Sequence, residues 1–110
     1  MSNKNTFTKG ERYEIFIGLK DKDSFTELLD VKDFQKILTD ICKNKQMGFS
    51  LITQYGGYTH NKGYTTETSL RVVIINITEK EVHLLANALK KKINTDAVLI
   101  TRTEVDFLFM

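Results

Sequence analysis

The sequence predicts an α+β domain in which two helices cover one face of a four-stranded antiparallel sheet. Three observations carry this. Two segments, 31–42 and 82–93, repeat apolar residues at spacings of three and four. Four other segments alternate apolar and polar residues, or are apolar on both faces, over lengths typical of strands. The segments follow one another as strand, helix, strand, strand, helix, strand.

Residues 1–11 are polar and are expected to form a flexible tail, leaving 12–110 as one domain. The first strand spans Arg12 to Leu19, with Tyr13, Ile15, Ile17 and Leu19 on one face and Glu14, Phe16 and Gly18 on the other. Lys20 to Asp30 is a charged connection from which Phe25 and Leu28 can tuck back onto the domain. The first helix carries its stripe on Val31, Phe34, Ile37, Leu38, Ile41 and Cys42. Asp30 is placed to cap it, Asp33 lies where the helix dipole favours an anion, and Lys43 and Lys45 lie where it favours cations. Gly48 marks the expected stop.

A second strand runs from Phe49 to Tyr55 and is broken by Gly56 and Gly57. The segment Tyr58 to Thr68 reads either as a long hairpin loop or as two irregular strand extensions. Leu70 to Ile77 is apolar on both faces and belongs at the centre of the sheet. Thr78 and Glu81 have capping-box spacing at the start of a second helix, whose stripe is Val82, Leu85, Ala86, Leu89 and Ile93. Lys90, Lys91 and Lys92 occupy its last turn, and Asn94 suits the turn that ends it. The final strand runs from Ala97 to about Phe109.

This order is that of the ferredoxin-like βαββαβ sandwich. Two helices leave the other sheet face open. If Phe16, Val73, Ile75 and Phe107 turn outward there, the patch exceeds what a monomer usually exposes, so a homo-oligomer, dimer or trimer, is expected.

The bulk properties narrow the function classes. A chain of 110 residues fits one domain, and its 41% apolar and 27% charged residues exclude global disorder. A net charge of +2 is too small for general attraction to nucleic acid. No apolar run approaches a membrane span, and the polar N-terminus is no signal peptide. The single cysteine, Cys42, excludes an internal disulfide and suits the cytoplasm. Heavy use of Lys, Asn, Ile and Thr with no proline fits an AT-rich bacterial, phage or plasmid genome.

The segment 54–67 is the most unusual stretch. It gathers Tyr55, Tyr58 and Tyr64, three glycines including Gly57, and His60, and it ends at Glu67. Glycine lets a backbone approach a ligand, and tyrosine offers a flat face with a hydroxyl. The competing reading is a structural hairpin whose glycines serve turns and bulges. Arg71 and Arg102 are two of three arginines and sit on strands, where a planar fork can hold carboxylate or phosphate or form a rim ion pair with a neighbouring acid. His60 and His83 lack ligand spacing and Cys42 lies on a buried stripe, so no metal and no cofactor are expected.

The strand and helix order, with a long glycine- and tyrosine-bearing loop between the second and third strands, resembles the PII signalling and CutA-like proteins. That resemblance implies a ferredoxin-like core, a trimer and a mobile loop at this place. The family's nucleotide-binding glycine motif is not recognisable here, so no binding residue follows from it. The segments 13–19, 48–51 and 67–74 also look like a small bacterial family of uncharacterised α+β proteins, which implies the fold alone.

The function expected from these residues is a non-enzymatic oligomeric protein. It would hold an anionic small molecule, a nucleotide among the candidates, through the 55–67 loop with Arg71 or Arg102. One rival is a phage- or plasmid-encoded anti-defence protein that inhibits a host protein, or sequesters a signalling nucleotide, in the host cytoplasm. Another is a small hydrolase or isomerase using His60 and Glu67.

Overall fold

The structure, a computed structural model, describes residues 6–95 and 97–110, without the side chains of Tyr58 and His60. The chain forms β1 (Thr8–Gly18), α1 (Val31–Lys45), β2 (Ser50–His60), β3 (Gly63–Ile75), α2 (Glu79–Ile93) and β4 (Leu99–Phe107). The strands make one sheet in the order β2-β3-β1-β4, antiparallel throughout. This is the predicted ferredoxin-like α+β fold.

Alternation along the two central strands decides which face is covered. Tyr13, Ile15 and Ile17 of β1 and Leu70, Val72 and Ile74 of β3 are buried together, with Ile15 opposite Val72 and Ile17 opposite Leu70. Against them pack Phe34, Leu38 and Cys42 of α1 and Val82, Leu85, Ala86, Leu89 and Ile93 of α2. Both helices therefore lie on one face. Each large side chain taken fully out of water there stabilises the fold by about 1.5–3 kcal/mol.

Both helices begin as the sequence predicts. Asp30 accepts from the Asp33 amide at 2.8 Å, and Thr78 accepts from the Glu81 amide at 3.1 Å; each acid returns the bond to its cap's own amide. The end of α1 differs from the expected stop at Gly48. Gln46 takes the left-handed conformation (φ 56°), its amide bonding Lys43 O at 3.2 Å and the Met47 amide bonding Cys42 O at 2.8 Å. That is a Schellman closure, and Met47 packing against the core supplies its apolar contact. Asn94 ends α2 in the same left-handed conformation, as expected.

Three of the four strands are longer than the pattern suggested. β1 starts at Thr8, and residues 8–11 pair with Phe107 through Glu104, so they belong to the sheet and not to a tail. β4 is Leu99–Phe107, shorter than the expected 97–109. β2 and β3 continue past β1 as a paired arm, Tyr55 opposite Thr68 and His60 opposite Gly63, which selects the strand-extension alternative for 58–68. The turn at the tip needs Gly63, whose φ is 120°. Phe25 is half-buried, whereas Leu28 is exposed.

Candidate functional site

The open face carries Arg12, Glu14, Phe16 and Gly18 on β1, paired with Ile75, Val73, Arg71 and Ser69 on β3. At Gly18 β1 ends, and beyond Ser69 β3 leaves it to form the arm with β2. Glu67 is two residues past Ser69, on the same face, opposite Gly56. Its side chain therefore folds back over the end of β1. Glu67 is only 9% exposed, and its Oε2 accepts the Lys20 backbone amide at 3.0 Å.

The position is crowded on purpose of geometry alone: a Cβ at Gly18 would lie 2.5 Å from Glu67 Cδ and 2.7 Å from Oε2. Beside the carboxylate, Lys20 Nζ donates to Thr65 Oγ1 at 2.8 Å. Gly18 and Glu67 line a groove of about 610 Å³ whose walls also include Phe16, Gln54, Gly56 and Leu99. Among the described lining residues Glu67 carries the only formal charge. An apolar wall of Phe16 and Leu99 with one oriented carboxylate is the pattern of a small-molecule site.

Residues 20–30 form a strap that braces the arm. Glu27 Oε1 accepts the Thr68 amide at 3.1 Å, and Lys62 stands 4.9 Å above the Phe25 ring. At its other end the buried Asp21 accepts from the amides of Asp23 and Ser24 at 3.0 and 2.9 Å and from Asn94 Nδ2 at 2.6 Å. These bonds hold its carboxyl below the usual carboxylate range, the Asn94 bond most of all.

The structure separates the other residues singled out in the sequence. Tyr55 (78% exposed) and Tyr64 (71%) stand out into solvent. Gly57 lines the groove, and Tyr64 lies where a Cβ at Gly57 would point. The side chains of Tyr58 and His60 lie outside the described residues. Arg71 faces the open side but is taken up by Glu14 at 2.8 Å. Arg102 pairs with Tyr13 across β1 and β4, which puts it on the helix side, 3.6 Å from Glu79 at the start of α2. The two arginines are thus on opposite faces, and one site within this chain cannot use both. Next to Arg102 the Tyr13 phenol is pushed above its ordinary value, first by the hydrogen bond it donates to Glu11 and then by burial.

Glu67 and Gly57 are therefore brought to the groove. Gly18, Lys20, Gln54 and Leu99 were not among the candidates. Gly18 did leave a signal, since glycine inside an otherwise apolar strand marks a close approach. Among the described residues no group of three or more His, Cys, Asp or Glu is placed to hold a metal ion, and no helix is long and apolar enough to cross a membrane.

No family model matches the chain, and no curated protein matches it by sequence. Solved structures do. A phage SAM lyase in complex with S-methyl-5'-thioadenosine is similar over 91% of this chain and 90% of its own, with a TM-score of 0.71 and 22% identity. CPII from Thiomonas intermedia K12, a nitrogen regulatory PII-like protein bound to ADP, AMP and bicarbonate, is similar over 92% of this chain and 97% of its own (TM-score 0.54, 10% identity). The Bacillus subtilis GlnK–ATP complex covers 88% and 82% (TM-score 0.56, 11% identity). These likenesses show the fold.

Proposed function

We propose that the chain assembles as an oligomer through its open sheet face, binds an adenosine-bearing small molecule in the groove beneath Glu67, and acts on S-adenosylmethionine as a lyase. The observation that carries the ligand class is the buried Glu67 carboxylate, alone in charge among the described residues of that groove.

The sign of that charge discriminates between ligands. A carboxylate about 4 Å from a unit charge interacts by about 4 kcal/mol near a protein surface. That attracts the sulfonium of S-adenosylmethionine and repels the phosphates of a nucleotide by a similar amount. Arg71, the open-face arginine best placed to offset the repulsion, is engaged by Glu14. The similar solved structures agree on the rest of the ligand. S-methyl-5'-thioadenosine, ADP, AMP and ATP all carry an adenosine. The groove's volume also lies in the range of small-molecule sites.

The chemistry needs no cofactor. The ligand's own carboxylate can attack the γ-carbon, so that a carbon–oxygen bond closes a lactone as the carbon–sulfur bond breaks. The electron pair of that bond stays on sulfur, and the sulfonium becomes the neutral thioether S-methyl-5'-thioadenosine with homoserine lactone as the other product. In that setting Glu67 orients the cation and holds it away from water, while Phe16 and Leu99 line an apolar wall.

The assembly is supported by what the open face leaves uncovered. Phe16, Val73 and Ile75 lie together there, and the Nε atoms of Arg12 and Arg71 are buried without a hydrogen-bond partner. A second copy can bring an apolar surface to cover Phe16, Val73 and Ile75.

A second reading, nucleotide binding without catalysis, is favoured by the ADP, AMP and ATP of the PII-like structures. One experiment separates the two. Purified protein is incubated with S-adenosylmethionine and the products are separated by chromatography, with calorimetric titration of S-adenosylmethionine, S-methyl-5'-thioadenosine and ATP alongside. Release of S-methyl-5'-thioadenosine, reduced about 100-fold or more in Glu67→Gln, supports the lyase. Heat with ATP alone selects the second reading, and no response to any of the three overturns both.

A further inference from the structure

Glycine inside a strand is normally a loss, because it packs nothing and costs backbone entropy. Gly18 ends β1 in ordinary strand pairing with Ser69, and no left-handed φ requires it there. What stands over it is Glu67. The three atoms that a Cβ at this position would meet first are Oε1, Cδ and Oε2 of that one side chain. The space a side chain would fill is occupied by the carboxylate, which the Lys20 amide then fixes from the next turn of the chain.

We propose that Gly18 is a positioning residue for the Glu67 carboxylate: its missing side chain is the seat on which the charged group of the ligand groove rests. The proposal deepens the reading above and rests on it for the ligand. Gly18 acts through Glu67 and does not touch the reacting atoms itself. It reads a sulfonium ligand against a neutral thioether only by deciding where the negative charge stands. Because the obstructing atoms are the far end of a flexible side chain, an added methyl group displaces the carboxylate and leaves the backbone in place. The strand itself gains from alanine in pairing propensity.

The test compares Gly18→Ala, Glu67→Ala and the double variant, with Gly48→Ala as a control because a Cβ there meets nothing within 4 Å. Two readouts are taken: the Lys20 backbone amide resonance in ¹⁵N-labelled protein, and the affinities for S-adenosylmethionine and S-methyl-5'-thioadenosine. Gly18→Ala is expected to move the Lys20 amide as Glu67→Ala does. It should weaken S-adenosylmethionine about tenfold or more while changing the neutral thioether far less. The double variant is expected to be no worse than Glu67→Ala, since the methyl group then has nothing left to displace. An unmoved Lys20 amide in Gly18→Ala, equal losses for both ligands, or losses that add in the double variant overturn the proposal. If Gly18→Ala does not fold, recovery of folding in the double variant supports the seat, and failure to recover overturns it. If the wild type binds neither adenosyl compound, the ligand reading fails, and the Lys20 amide alone still decides whether Gly18 seats Glu67.

Discussion

Asn94 donates its side-chain amide to Asp21 across 73 positions of sequence, at 2.6 Å. The same residue gives its backbone carbonyl to the Lys22 amide at 2.9 Å, and it is the left-handed residue that closes α2. One asparagine thus terminates a helix and anchors the strap that braces the arm.

Asp21 gives the molecule an acid-sensitive joint. Its carboxyl is held below the usual carboxylate range in the folded chain, so ionised Asp21 stabilises the fold above about pH 4, its unfolded value. That contribution is lost as pH falls through the lower, folded value. Asp21→Asn is therefore expected to lower Tm at pH 7, and the gap to wild type should close as pH falls below about 4. Circular dichroism melts from pH 7 to pH 3 check this, and a gap that stays constant contradicts it.

The second helix has its own carboxylate of this kind. Glu81 is held below its ordinary value by the bond from the Thr78 amide at 2.8 Å, then by the Thr78 hydroxyl. Thr78→Ala removes the cap oxygen and should cost about 1 kcal/mol in denaturant unfolding.

Phe34 is fully buried and is the largest side chain that α1 sends under the sheet. Phe34→Ala should destabilise the chain by about 3–5 kcal/mol. A domain with a total of about 5–15 kcal/mol would survive this only marginally, with a large drop in urea midpoint.

Cys42 lies in the same core, and burial alone pushes its thiol above the ordinary value. A thiolate reagent such as Ellman's should therefore react slowly with the native protein and rapidly once it is unfolded in urea. Fast labelling of the folded chain would show that α1 is not docked as described.

The proposed assembly makes a separate claim. Light scattering should return a multiple of the 12.7 kDa chain mass. Ile75→Lys, which places a charge on the open face, should shift the population towards the monomer without lowering helix content.

What could be read from the sequence follows how local each signal is. The starts of both helices were legible because a stripe and a capping box sit within a few residues of each other, as Asp30 with Asp33 and Thr78 with Glu81 do. The end of α1 was not, because Gln46 turns left-handed to let Met47 reach a core assembled by other segments. The same holds for residues 8–11, whose polar pattern becomes a strand only when β4 lies alongside. At the site, Glu67 stood out by its place beside an unusual loop. Gly18 marked a close approach without saying of what, and Lys20 left no mark, because both are nearly fifty positions away and meet Glu67 only through strand register. Arg102 shows the reverse: its chemistry was visible, but only its pairing with Tyr13 reveals which side it faces.

The brace along the arm changes what kind of lever the hairpin is. Two strands paired only with each other would wag freely about the point where they leave the sheet. Here Lys20, Phe25 and Glu27 grip the hairpin at Thr65, Lys62 and Thr68, and Asp21 rivets the same segment to the end of α2. A push at the tip would therefore be shared with the helix layer, through the region where Glu67 stands over Gly18.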